Sequence, residues 1–178
     1  MSGLVWEEMP LAKQHERKAF DCGDAELNHY LRRYARQNHD SGGAKCFVAA
    51  PTDALTRVLG FYTLSPASIE YDRTPLLAKK GLGRYEVPVY RLGRLAVDIS
   101  VHGRGLGSAL LLRAAHRCIR VASDVGGVAL LIDAKNAKNE EGVAQWYKGL
   151  GALQLLDTPL SLVLPFAVAT DAFKRASL

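Results

Sequence analysis

The stretch Arg91-Leu92-Gly93-Arg94-Leu95-Ala96-Val97-Asp98-Ile99-Ser100-Val101-His102-Gly103-Arg104-Gly105-Leu106-Gly107-Ser108-Ala109-Leu110-Leu111 constrains this chain more than any other. It reads as a strand, a glycine-rich turn and the first turns of a helix. Glycines at 103, 105 and 107 let successive backbone N–H groups converge without side-chain obstruction, and the helix beyond them adds unpaired first-turn donors and its positive dipole end. Such a turn suits a pyrophosphate. A nucleotide-hydrolase loop needs Lys and then Ser or Thr after its last glycine, and here Gly107 leads straight to Ser108 and Ala109. A dinucleotide fingerprint needs Gly-x-Gly-x-x-Gly, and counting from Gly103 or Gly105 puts Ser108 or Leu110 where the third glycine should be.

The segments beyond the turn narrow the choice. A helix from Ser108 to about Val121 leads through Gly126-Gly127 to the apolar run Val128 to Ala134, a buried strand by length and composition. A helix-like segment from Asn139 to Ala152 carries Trp146-Tyr147 near its end. The spacing predicts further strands at Leu4 to Glu7, Lys45 to Ala50, Val58 to Ser65, Val89 to Val97, Leu153 to Leu156 and Ser161 to Leu164, and a helix from Asp24 to Gln37. Its apolar stripe is Leu27, Tyr30, Leu31 and Tyr34, with His29, Arg32, Arg33 and Arg36 on another face. The tail from Phe166 to Leu178 reads as a docking helix or a frayed end.

Turn and context together resemble the GCN5-related N-acetyltransferases. The loop resembles their motif of Gln or Arg, two residues, Gly, one residue, then Gly or Ala, with His102 in the Gln/Arg slot; the end of the later helix looks like their Phe-Tyr-x-x-x-Gly-Phe signature, with Trp146 for the first Phe, Ala152 for the last and Tyr147 on the Tyr. The resemblance implies an α/β (α+β) fold with a central, mixed, mostly antiparallel sheet flanked by helices, as a single domain over residues 1–178. It implies acetyl-CoA as co-substrate, held by the loop His102, Gly103, Arg104, Gly105, Leu106, Gly107 and Ser108 and by the strand at Leu95, Ala96 and Val97.

A narrower resemblance rests on Phe20-Asp21-Cys22-Gly23 with Leu27-Asn28-His29-Tyr30-Leu31, Gly60-Phe61-Tyr62-Thr63-Leu64-Ser65, Val87-Pro88-Val89, Arg94-Leu95-Ala96-Val97-Asp98 and Ile132-Asp133-Ala134. In order, these pieces look like the acetyltransferase toxins of type II toxin–antitoxin modules. That group acetylates the α-amino group of aminoacyl-tRNA and stops translation; the resemblance implies the same activity here, a ribbon-helix-helix antitoxin as partner, and a homodimer.

The residues bear on the same chemistry independently. The net charge of +5 and pI near 9.2 suit an anionic partner. Arg32, Arg33 and Arg36 are one candidate acceptor-binding set. Lys79, Lys80, Arg84 and Arg91 are a second, in a Pro- and Gly-punctuated stretch that also holds Arg73 and leads to Arg94. Tyr147, protonated at neutral pH, is the candidate general acid for the departing sulfur. Asp98, Asp133, His102 and Glu140 are candidates for a general base, and no spacing distinguishes one of them. An α-amine near pKa 8 needs less help than a lysine amine near 10.4. Transfer to a small amine, peptide or protein amino group is the alternative within enzymes, and a non-catalytic acetyl-CoA-binding module the alternative outside them. Five scattered histidines and the distant cysteines Cys22, Cys46 and Cys118 predict neither a metal site nor a disulfide framework. The charged first 20 residues and the lack of a long apolar run predict a cytoplasmic protein with no membrane partner.

Overall fold

The structure, a computed structural model, describes residues 3–134 and 139–176. Seven strands form a mixed, mostly antiparallel sheet: β1 (Trp6–Pro10), β2 (Lys45–Pro51), β3 (Gly60–Ile69), β4 (Val87–Val97), β5 (Ala129–Asp133), β6 (Leu153–Leu155) and β7 (Thr158–Pro165), ordered β1-β2-β3-β4-β5-β7-β6. The helices are α1 (Ala25–Arg33), α2 (Ala35–Ser41), α3 (Leu76–Lys79), α4 (Leu106–Val125), α5 (Glu140–Gly149) and α6 (Phe166–Ala176). By internal contacts the chain divides into two compact units: residues 1–65 with 93–111, and residues 66–92 with 112–178. Among the described residues, no helix is long and apolar enough to cross a membrane.

In the first unit β1 and β2 pair antiparallel from Trp6↔Pro51 to Pro10↔Phe47, and β2 and β3 from Lys45↔Leu64 to Ala49↔Gly60. Tyr30, Leu31 and Ala35 bury against Val48, Phe61 and Ala96 in the core of this unit. Helix α1 starts where Asp24 Oδ1 accepts the N–H groups of Glu26 (3.0 Å) and Leu27 (3.3 Å), satisfying donors that a first turn otherwise leaves open.

The single helix expected from Asp24 to Gln37 is two. The break falls at Tyr34, whose φ of −119° leaves the helical range, and the buried stripe continues at Ala35 rather than at Tyr34, which is 52% exposed. A small residue at 35 fits against the sheet where a tyrosine ring would not.

In the second unit β4 and β5 pair in parallel at Tyr90↔Leu130, Arg91↔Leu131 and Leu92↔Ile132. Parallel neighbours need a crossover, and α4 supplies it. β5 and β7 pair antiparallel from Ala129↔Pro165 to Asp133↔Ser161, and β6 joins β7 with a register shift at Gln154/Leu155. Here Val87, Val89, Ala129, Leu131 and Val163 form the core. The two strands expected at Leu153 to Leu156 and Ser161 to Leu164 are present with different bounds, β6 ending at Leu155 and β7 beginning at Thr158. The tail is helical to Ala176; residues 177 and 178 lie outside the described residues.

Candidate active site

β4 ends at Val97, and the chain then makes a 3₁₀ turn (Ile99–Val101) before the glycine loop and α4. Asp98 caps that turn and is buried. Its Oδ1 accepts the Ser100 N–H (2.9 Å) and hydroxyl (2.7 Å), and its Oδ2 accepts the Asp21 N–H (3.0 Å). Burial alone would raise the Asp98 pKa, but the Ser100 hydroxyl, the two amides and Arg57 outweigh it and hold the carboxyl below its usual range. Asp21 Oδ1 in turn accepts the Gly23 N–H and the Asn28 Nδ2, each at 2.9 Å, while Asn28 Oδ1 accepts the Cys22 N–H at 2.9 Å. One polar network therefore fastens Asp21–Gly23 and α1 to the end of β4. The sequence signal for it is the pair of short pieces around Cys22 and Val97, whose coupling only the fold reveals.

The glycine loop has the backbone that its composition calls for. Gly103 and Gly105 have φ of +76° and +81°, a region that costs other L-residues roughly 1–2 kcal/mol each. A Cβ built on either would meet nothing within 4 Å, so both glycines face open space. The Ala109 N–H donates to Gly105 O at 3.1 Å as the first turn of α4 closes, and the N–H groups of Leu106, Gly107 and Ser108 precede any carbonyl within the helix. Leu106 and Leu110 anchor this end of α4 in the core. The closeness of that packing is measured at Gly60 in β3, where a Cβ would lie 2.8 Å from Leu110 Cδ1 and 3.0 Å from Ala96 O. His102 is exposed and its Nε2–H donates to Val97 O at 2.6 Å, tying the loop to the strand that precedes it. Arg104 is exposed; along β4, Ala96 is buried while Leu95 and Val97 are half-buried.

Tyr147 lies on α5 in the second unit. Asn139 caps that helix through Oδ1 to the Gly142 N–H at 3.1 Å. Trp146 and Tyr147 meet edge-to-face, ring centroids 4.8 Å apart. The two differ in environment, Trp146 being 39% exposed and Tyr147 7%. Burial pushes the Tyr147 phenol well above its ordinary value, so it is protonated across the physiological range. Its hydroxyl makes no hydrogen bond among the described residues.

The candidate acceptor-binding cations fall into different settings. Arg32 and Arg33 are exposed in the last turn of α1. Arg36, on α2, pairs with Asp40 at 3.5 Å. Lys79 is half-buried, its Nζ donating to Tyr71 O at 2.9 Å and lying 4.2 Å from the Tyr71 ring centroid. Lys80 is exposed, Arg84 reaches Asp72 at 3.4 Å, and Arg91 is an exposed residue of β4. Arg73 is taken by Asp157 and Thr158, both at 2.9 Å. Arg94 does not belong with this loop: its guanidinium stacks on Tyr30 of α1, Cζ 3.6 Å from the ring centroid. Among the described residues no three of His, Cys, Asp and Glu come together as metal ligands would.

No protein-family model matches the chain. It is 40% identical over 116 residues, 65% of its own length and 68% of the relative's, to the tRNA-acetylating toxin of Mycobacterium tuberculosis (strain ATCC 25618 / H37Rv). It is 26% identical over 158 residues, 86% of the chain and 87% of the relative, to the probable toxin TacT of Sinorhizobium fredii (strain NBRC 101917 / NGR234). Among solved structures, AtaT complexed with acetyl-methionyl-tRNAfMet superposes with a TM-score of 0.85 at 26% identity, covering 94% of this chain and 99% of that one. AtaTR bound with AcCoA superposes with a TM-score of 0.78 at 25% identity, covering 95% and 98%. Loop, helix and sheet thus agree with an identity that extends over two thirds of a characterised relative, and this chain belongs to the GCN5-related N-acetyltransferase toxins of toxin–antitoxin modules.

Proposed function

We propose that this protein transfers the acetyl group of acetyl-CoA to the α-amino group of an aminoacyl-tRNA, and so blocks translation. The observation that carries the reading is the loop of Gly103 and Gly105: two left-handed glycines facing open space, succeeded by the free first-turn amides of α4. That is a cradle for a pyrophosphate, in a chain whose relatives include a tRNA-acetylating toxin. Acetyl-CoA, when bound, supplies an acetyl group activated as a thioester.

The chain's own residues do the rest. The amides of Gly103 to Ser108 hold the pyrophosphate, and His102 keeps the loop folded against Val97. The β4 backbone at Leu95, Ala96 and Val97 tethers the pantetheine arm and directs an N–H toward the carbonyl oxygen as it gains charge. The neutral α-amine attacks the carbonyl carbon, Tyr147 Oη gives its proton to the sulfur as the C–S bond breaks, and the proton lost by the acylated nitrogen returns to the phenolate. Arg32, Arg33, Arg36, Lys79, Lys80, Arg84 and Arg91 are assigned to the acceptor RNA; the exposed Arg32, Arg33, Lys80 and Arg91 are best placed to reach it. As a toxin of this group the protein works in the cytoplasm as one catalytic domain, forms a homodimer, and is neutralised by a ribbon-helix-helix antitoxin.

The test is transfer of labelled acetyl from acetyl-CoA to charged tRNA, run beside deacylated tRNA and free amines. Label on charged tRNA alone is expected; label confined to free amines would move the acceptor to small molecules. Tyr147→Phe should lower kcat by roughly 10²- to 10⁴-fold without weakening acetyl-CoA binding. Unchanged turnover would remove the acid role.

A further inference from the structure

Arg94 is a half-buried cation that forms no ion pair among the described residues. One face of its guanidinium lies on the Tyr30 ring at 3.6 Å. Tyr30 is a rigid base for it, buried in the core and holding the Asn38 Nδ2 at its hydroxyl, 3.1 Å away. Stacking uses the π-face of a guanidinium and leaves its in-plane N–H groups free. Among the described residues they have no carboxylate or hydrogen-bond acceptor. The carboxylates of the adjoining network make their hydrogen bonds elsewhere, Asp21 Oδ1 with Gly23 and Asn28, and Asp98 with Asp21 and Ser100.

Further cations lie on the same helix as Tyr30, and Asp21 is the carboxylate whose charge Arg32 feels. Arg32 and Arg33 come just after Tyr30 on α1 and pair with no carboxylate among the described residues. Arg17 covers the end of that helix, its Nη1 donating to Arg32 O at 3.3 Å. A guanidinium held over an aromatic ring, on an element beside Arg32 and Arg33, is suited to bidentate contact with a phosphate.

We infer that Arg94 binds a phosphodiester of the acceptor RNA, forming one site with Arg32 and Arg33. The inference rests on a tRNA acceptor and deepens that reading. The phosphates of the coenzyme are the other source of the same chemistry. Arg94 shares a face of β4 with Ala96, which packs into the α1 core cluster, and so lies on the side that carries Arg32 and Arg33; separate tRNA and acetyl-CoA measurements distinguish the two sources.

The experiment uses the whole protein with Arg94→Gln and measures deacylated tRNA binding across a salt series, and acetyl-CoA binding separately. The expected result is a Kd for tRNA about tenfold or more weaker, a plot of log K against log salt shallower by about one, and unchanged acetyl-CoA affinity. The shallower slope identifies a lost phosphate contact, which a purely structural role for Arg94 would not produce. Unchanged tRNA affinity and slope overturn the inference, and so does a loss confined to acetyl-CoA. If wild-type protein fails to acetylate charged tRNA while the Arg94→Gln slope still falls, the catalytic reading is wrong and the phosphate site stands.

Discussion

Replacing Gly105 by Ala separates backbone strain from ligand exclusion, because the structure contains its own control. Gly105 has φ of +81° and Gly126, at the end of α4, has φ of +88°; a Cβ on either meets no heavy atom within 4 Å. Both Gly→Ala changes therefore impose the same left-handed strain, about 1–2 kcal/mol, with no clash inside the protein. For a chain of this size that lowers Tm by about 2–8 °C, as differential scanning calorimetry would measure. Gly105, however, stands in the loop proposed to receive the coenzyme pyrophosphate, where an added methyl group enters the ligand's space and disturbs the alignment of adjacent amides. Losing even one good charge-assisted contact there costs about 1.5–3 kcal/mol, so isothermal titration should find acetyl-CoA bound at least about tenfold more weakly by Gly105→Ala. Gly126→Ala should bind it normally. Equal Tm losses with an unchanged acetyl-CoA Kd in Gly105→Ala would refute the cradle.

Two further outcomes concern groups whose environment is known. The pH profile of kcat/KM for charged tRNA should rise with unit slope to about pH 8, as the acceptor α-amine loses its proton, and stay flat to about pH 10; a descending limb below pH 9 would contradict a Tyr147 whose phenol burial has raised. Asn28→Ala removes the buried side chain that bridges Asp21 and Cys22 and should lower Tm in a thermal melt, whereas an unaltered Tm would show that the bridge adds nothing to stability.

The parts of the fold legible in the sequence are those governed by local rules. The strand, turn and helix around Gly103 can be read because left-handed glycines and helix amides are fixed by a few adjacent residues. Sequence places the motif helix at Ser108 to about Val121, and the structure extends it to Leu106–Val125, the ordinary uncertainty of helix ends. Tertiary packing decides the rest. Tyr34 satisfies the helical period as well as Ala35 does, and only the sheet against α1 selects the smaller residue. Chain position groups Arg94 with the basic loop, yet the alternation of β4 delivers it to Tyr30. Lys79 and Lys80 are adjacent and identical in type, but one is held by Tyr71 and the other points to solvent. Charge counts in a sequence cannot make that distinction, since it depends on which carbonyls and rings the fold brings near.

Packing also limits how protons can be handled during transfer. Four residues qualify by type as a general base, and the structure gives definite work to two of them, Asp98 and His102. Both carboxylate oxygens of Asp98 accept hydrogen bonds in a buried network that keeps the group ionised and occupied, and His102 Nε2 is committed to the Val97 carbonyl. Pulling Asp98 away to accept a proton would cost the contacts that shape the turn. An acceptor with an amine near pKa 8 is close to ready at neutral pH, whereas deprotonating a lysine amine near 10.4 costs about 3 kcal/mol more, at about 1.4 kcal/mol for each pH unit. On the proposed mechanism, a chain that commits Asp98 to architecture is matched to an α-amine. That match ties the polar network around Asp98, whose contacts are all structural, to the choice of acceptor.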